Sequence, residues 1–142
     1  MARIIIDLPE SFSFSTTFHV RISDINYGNH LGNDAVVSLM HEARVRFLAS
    51  HGFTEVDLAG IGSVMADCVV QYKGEAFYGD ELLTEVTATD FTRLGFDLVY
   101  RFTRKSDNKL IAIGKTGTVC FDYEKRKVAS LPAEVREKLT TL

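Results

Sequence analysis

The stretch that decides the fold runs Asp24-Ile25-Asn26-Tyr27-Gly28-Asn29-His30-Leu31-Gly32-Asn33, then Asp34-Ala35-Val36-Val37-Ser38-Leu39-Met40-His41-Glu42-Ala43-Arg44-Val45-Arg46-Phe47-Leu48-Ala49-Ser50. Its first part is dense in Gly and Asn, the composition of a loop. Asn33 and Asp34 then offer an N-cap, and the spacing predicts a helix running to about Ser50. Val36, Met40, Ala43 and Phe47 fall at i, i+4, i+7 and i+11, one stripe of that helix. Ala35, Val37, Leu39 and Leu48 widen the stripe so far that the helix must be covered on more than one side. Its length would be roughly 26 Å. Gly52 is a natural stop after His51, and Thr54 to Ala59 could add one further short helical turn.

Strand signals flank this helix. From Phe12 to Ser23 the chain alternates, with Phe12, Phe14, Thr16, Phe18, Val20 and Ile22 on one side, the period of a strand with one buried face. Beyond the helix, strands are predicted over Ile61 to Lys73, Glu81 to Phe91, Phe96 to Arg104 and Lys109 to Asp122. The connections are short, which favours antiparallel neighbours. Gly114 and Gly117 suggest a bulge or bend in the last long strand. Pro132 to Leu139 reads as a terminal helix with proline at its first position. One long helix wrapped by a curved antiparallel sheet of about five strands is an α+β plan in two layers. Such a sheet leaves an edge and a face open, usual sites for pairing with a second copy, so a homodimer or homotetramer is expected.

Composition narrows the function classes. The chain has 142 residues, 46% hydrophobic and 25% charged, which suits a single domain over 1–142 that needs no staple. A net charge of −3 argues against a nucleic-acid binder, and the basic run Lys125-Arg126-Lys127 reads as a solvated turn. Cys68 and Cys120 are far apart in apolar runs and read as small core residues in a reducing compartment. No metal site is expected. The apolar run after Met1 is too short for a signal peptide and no segment is long enough to span a membrane, so a cytoplasmic protein is expected by default.

The residues of the loop and helix, Asp24 to Asn33 followed by His41-Glu42-Ala43-Arg44 and Phe47-Leu48, resemble those of hot-dog-fold thioesterases of the 4-hydroxybenzoyl-CoA type. That family shows Asp-x-Asp, a short gap, His-Val-Asn-Asn, and a helix carrying Glu-x-Ala-Arg or Glu-Ala-Arg. Tyr72, Tyr78-Gly79-Asp80-Glu81-Leu82, Phe121-Asp122 and Leu131-Pro132 extend the likeness over nearly the whole chain. The resemblance implies a hot-dog fold, hydrolysis of an acyl-CoA or acyl-carrier-protein thioester, and no cofactor beyond the coenzyme A of the substrate. It implies a basic residue for coenzyme A phosphates in the turn holding Arg93, and a helix-entrance amide at or near Asn33 facing the thioester oxygen. One departure stands out. The family's second Asp, its usual base or nucleophile, falls on Asn26, and an amide can serve as neither near neutral pH.

Thioester hydrolysis needs a donor for the developing oxyanion and a carboxylate or base for water. The first amides of a helix lack internal partners and, with the positive end of the dipole, form an anion site. For the carboxylate two residues compete. Asp24, two positions before Asn26, would share its side if the backbone is extended there, leaving Asn26 to orient water or substrate. Glu42 lies about two turns into the helix, where another hot-dog branch places its acid, or else pairs with Arg46 at i+4. His30 could donate to the carbonyl oxygen, shuttle a proton, or simply fix the loop. Tyr72, Phe77 and Tyr78 could line an acyl channel or a core. A non-hydrolytic acyl-thioester binder, favoured by Asn26, and more remotely a hot-dog dehydratase stay open as alternatives.

Overall fold

The structure, a computed structural model, describes residues 3–140; Met1 and Ala2, where the N-terminal apolar run begins, lie outside it. In chain order the elements are β1 (Phe14–His19), a short 3-10 turn (Ile22–Asp24), α1 (Asn33–Ser50), β2 (Gly62–Tyr72), β3 (Glu81–Thr89), β4 (Gly95–Arg104), β5 (Lys109–Asp122), β6 (Lys127–Val128) and α2 (Ala133–Thr140). The strands form one antiparallel sheet in the order β1-β3-β4-β5-β2, with β6 paired to the end of β5. It is the α+β hot-dog arrangement, with six strands where about five were expected. No described helix is long and apolar enough to cross a membrane.

Helix α1 lies against one face of this sheet through a single buried stripe; Val37, His41, Glu42, Val45 and Arg46 are exposed, so it is covered on one side and not on more than one as expected. Val36, Met40, Ala43 and Phe47 are buried in one cluster with Leu82, Val86, Leu98, Tyr100 and Ile111 from the strands. Phe14 of β1 meets the Phe47 ring edge-on at 5.8 Å. Each such large side chain contributes about 1.5–3 kcal/mol by leaving water, which outweighs the weak preference of β-branched Val36 and Val37 for a helix. Helix and sheet approach closely at Gly114, where a Cβ would stand 2.6 Å from the methyl carbon of Met40. Glycine there admits the helix. The irregularity expected at Gly114 and Gly117 falls instead on facing β2, whose register with β5 shifts between Met65 and Asp67.

The opposite face carries a smaller cluster of Ile6, Val99 and Ile113, with Phe12, Val69 and Leu110 packed on it. Phe12 therefore belongs to the outer face, its ring under the Arg101 guanidinium at 4.6 Å. The one-sided run expected from Phe12 to Ile22 fails at both ends, since β1 spans only Phe14–His19 and Ile22 is 72% exposed. Thr54 to Ala59 form turns rather than a helix. Thr54 bridges Asp57, Leu58 bridges Ile61, and Ala59 and Gly60 both have positive φ, which breaks any helical run.

Strand β2 ends the sheet, with no strand paired on its outer side among the described residues. Met65, Ala66, Asp67 and Cys68 at its centre are all exposed. Cys68 is thus an edge-strand thiol rather than the core residue expected, while Cys120 is buried.

Candidate active site

The loop before α1 is a small closed hairpin. The Asn26 amide donates to the His30 carbonyl oxygen at 3.0 Å, Asn29 donates to Asn26 at 3.0 Å, and Gly32 donates to Asp24 at 2.9 Å. Asn29 reaches φ 66°, a conformation Asn tolerates better than most residues. The Asn26 side-chain oxygen accepts from the Gly28 amide at 2.9 Å, the local turn chemistry that makes Asn frequent in such loops. The hairpin is tied to the chain leaving β2, as Leu31 donates to the Ala76 carbonyl oxygen at 2.7 Å.

The cap of α1 differs from the expected Asn33 or Asp34. It is Gly32, in extended backbone, and no side chain caps the helix. Asn33 is the first helical residue, and its carbonyl oxygen accepts from the Tyr72 hydroxyl at 3.0 Å. An N-terminus without a side-chain cap keeps its first amides for an outside acceptor. Burial, followed by the neighbouring Cys68 and Asp34, pushes the Tyr72 phenol above its ordinary range, so it stays protonated and donating.

A cavity of about 410 Å³ opens at this point, lined by Asn26, His30, Leu31 and Asn33 on the hairpin side and by Tyr72, Lys73, Gly74 and Glu75 on the other. The structure thus brings Asn26, His30 and Asn33 together. His30 Nδ1 lies 3.2 Å from the Leu31 carbonyl oxygen. A carbonyl only accepts, so this bond needs the hydrogen on Nδ1, and the neutral ring presents Nε2 as an acceptor rather than a donor. That suits a proton shuttle better than donation to a substrate carbonyl.

The other expected residues are not gathered there. Asp24 is 5% exposed and both its oxygens face Arg21. The Arg21 amide donates to Oδ2 at 2.8 Å, its Nε to Oδ2 at 3.3 Å and its Nη2 to Oδ1 at 3.2 Å. The 3-10 turn at Ile22–Asp24 causes this, by ending the extended backbone that would have aligned Asp24 with Asn26. Glu42 pairs with Arg46 at 3.1 Å beside a different cavity that also touches Thr17, Arg21 and Ser38. Arg93 sits in the turn after β3, whereas the cavity lies near the strand's start; nine residues of β3 separate the two by roughly 30 Å. Among the described residues, no group of three His, Cys, Asp or Glu could hold a metal ion.

Two features were missed in the sequence. Glu75, in the connection between β2 and β3, lines the cavity although no motif marks it. A second cleft of about 280 Å³ lies between α1 and β2, walled by Val37, Met40, Met65 and Cys68. Arg44, buried at its floor, donates to the Tyr100 hydroxyl at 3.2 Å, and Tyr100 bonds Thr116 at 2.8 Å. Glu55 bridges His41 at 2.9 Å and the Arg44 Nε at 3.5 Å, the latter too long for a hydrogen bond, so that nitrogen is left without one.

The pattern of the sequence matches the model of the thioesterase-like superfamily over residues 20–139. The chain belongs to that superfamily. No curated relative matches at significant similarity. Among solved structures it is similar to a 1,4-dihydroxy-2-naphthoyl-CoA thioesterase from Synechocystis, with a TM-score of 0.82 and 21% identity over 91% of this chain and 96% of the other. It is also similar to a gentisyl-coenzyme A thioesterase, with a TM-score of 0.78 and 21% identity over 89% of this chain and 99% of the other. A DHNA-CoA thioesterase from Staphylococcus aureus superimposes with a TM-score of 0.74 and 21% identity over 82% of this chain and 79% of the other. At these identities the superpositions establish the hot-dog fold of this thioesterase-like chain.

Proposed function

We propose that this protein hydrolyses acyl-CoA or acyl-carrier-protein thioesters at the entrance of α1. The observation that carries the reading is a helix N-terminus without a side-chain cap, opening on a cavity lined by Asn26, His30 and Asn33. A thioester oxygen held there would gain negative charge as the carbonyl is attacked. Fixed amides at a helix end stabilise that charge without reorganising, and one such donor is typically worth about 3–4 kcal/mol in the transition state. Asn26 supplies an amide on the same cavity to orient water or substrate. The structural relatives named for 1,4-dihydroxy-2-naphthoyl-CoA and gentisyl-CoA make aromatic acyl-CoAs the first substrates to try. The cleft along α1, mostly apolar, offers space for an acyl group.

The reading includes a second copy of the chain along β2. An eleven-residue edge strand with exposed Met65 and Cys68 at its centre is an unprotected template for pairing, and it forms one wall of the acyl cleft. Release of free thiol from aromatic, short and long acyl-CoAs tests the activity. Turnover of at least one member is expected. A folded protein that binds these thioesters and cleaves none would overturn hydrolysis in favour of a binding role.

A further inference from the structure

The thioesterase reading, on which this inference rests, lacks a base: Asn26 is an amide, Asp24 is held by Arg21 and Glu42 by Arg46. We infer that Glu75 is the carboxylate that activates water in this site. It is the acid that lines the cavity at the helix entrance, on the wall facing Asn26, His30 and Asn33. Its position is imposed by the main chain on both sides. The Glu75 carbonyl oxygen accepts from Arg104 Nη1 at 2.8 Å. Before it, Gly74 donates to the Ile111 carbonyl oxygen at 3.1 Å, and after it the Ala76 carbonyl oxygen accepts from Leu31 at 2.7 Å. Gly74 is required for this path, because a Cβ there would stand 2.9 Å from the Leu110 carbonyl oxygen. The bond from Leu31 to Ala76 also locks the segment to the hairpin that carries Asn26 and His30, so the two walls keep their spacing.

The Glu75 carboxylate is free for this work. Among the described residues it forms no ion pair or hydrogen bond. Its neighbour Arg104 directs its guanidinium to Asp80 at 3.2 Å and Asp107 at 3.0 Å, leaving Glu75 only its backbone contact. No cation is clamped on the Glu75 carboxylate, whereas Asp24 and Glu42 are each engaged by an arginine. Lys73 and His30, lining the same cavity, are placed to attract the anionic end of a substrate and to relay a proton.

Glu75 accepts a proton from water while the water oxygen bonds to the thioester carbon. The carbonyl π electrons move to the oxygen held by the α1 amides. On collapse the carbon–sulfur bond breaks, the sulfur leaves with the bonding pair, and it takes the proton back from Glu75. The products are the free acid and the thiol, and the carboxylate is regenerated.

The test compares wild type, Glu75→Gln and the double variant Asn26→Asp/Glu75→Gln on the best thioester of the panel. In Glu75→Gln, kcat should fall by about 100-fold or more with KM little changed and the thermal melt superimposable, as the side chain is exposed. The double variant should recover activity, since it restores an acid to the same cavity. If Glu75→Gln keeps kcat, or loses only KM, while wild type is active, the assignment of Glu75 is overturned and the thioesterase reading stands. Wild type that cleaves no thioester overturns both.

Discussion

Tyr72, the last residue of β2, donates its hydroxyl hydrogen to the carbonyl oxygen of Asn33, the first residue of α1, at 3.0 Å. The bond joins the sheet edge to the helix entrance across the mouth of the candidate site. The first turn of α1 is thus positioned partly by a phenol on the opposite wall of the cavity. The edge strand β2 is therefore connected directly to the candidate site.

Loss of that bond should be felt in rate more than in stability. Tyr72→Phe removes one partly exposed hydrogen bond and should cost about 0.5–1.5 kcal/mol, read from urea denaturation. Small misplacements of positioning groups cost far more in the transition state, so kcat should fall by about tenfold in thiol-release assays. A variant with unchanged kcat would show that the first turn of α1 holds its place unaided.

Two glycines should respond very differently to alanine. At Gly114 the new methyl meets the flexible end of Met40, with Cε at 2.6 Å and Sδ at 2.7 Å. That side chain can move, so Gly114→Ala should cost about 1–3 kcal/mol, partly relieved by shortening Met40 to Val. At Gly95 the methyl would stand 1.9 Å from the Thr118 carbonyl oxygen, which is backbone in the paired β5 and cannot yield without breaking the ladder. Gly95→Ala should therefore be the more damaging of the two in thermal melts. The reverse order would mean that the close approach of β4 and β5 relaxes readily.

The helix and the strands were legible because their periods differ, 3.6 against two, and because Gly and Asn punctuate them. The limits of the reading were local. Gly32 displaced Asn33 as the cap because the hairpin donates the Gly32 amide to Asp24, a closure no spacing reveals. Asp24 turned from a candidate base into a partner of Arg21 because three residues adopt a 3-10 turn. Glu75 was hidden for the opposite reason: a charged residue in a turn is ordinarily solvated, and long-range bonds to the main chain around it, involving Leu31, Arg104 and Gly74, bring this one to the cavity. Asn26 and His30 line one cavity because the loop itself carries both there.

The pair of Arg44 and Tyr100 makes a prediction about alkali. Tyr100 is completely buried, and burial pushes its phenol above the ordinary value of 10.0, opposed by Arg44 and the bond to Thr116. In the unfolded chain the same phenol ionises near its ordinary value. Between the two values the folded state keeps a proton that the unfolded state has lost. The stability linked to Tyr100 is thus complete below pH 10 and drains away as pH rises through the folded value. Tyr100→Phe should flatten that alkaline limb in denaturation curves measured from pH 8 upwards. At neutral pH it should cost about 1–3 kcal/mol, since Arg44 and Thr116 each lose a buried partner. A limb of unchanged slope would assign the alkaline loss to other groups, among them the buried Cys120 thiol, which burial also pushes up.

The edge of β2 yields the prediction with the widest reach. Met65, Ala66, Asp67 and Cys68 are exposed in succession, so both faces of the strand are open at once, which a strand closed only by its own sheet would avoid by charge, proline or brevity. In a two-fold pairing, each position near the axis meets its own copy or a close neighbour. Placing lysine at both Met65 and Cys68 would therefore bring four like charges into one small region. Wild type should sediment as a dimer or tetramer at micromolar concentration, and Met65→Lys/Cys68→Lys as a monomer with an unchanged far-ultraviolet circular dichroism spectrum. Activity should fall with the oligomer, because β2 forms a wall of the cleft proposed for the acyl group and its last residue, Tyr72, bonds the helix entrance. A wild type that sediments as a monomer while fully active would remove the second copy from the site.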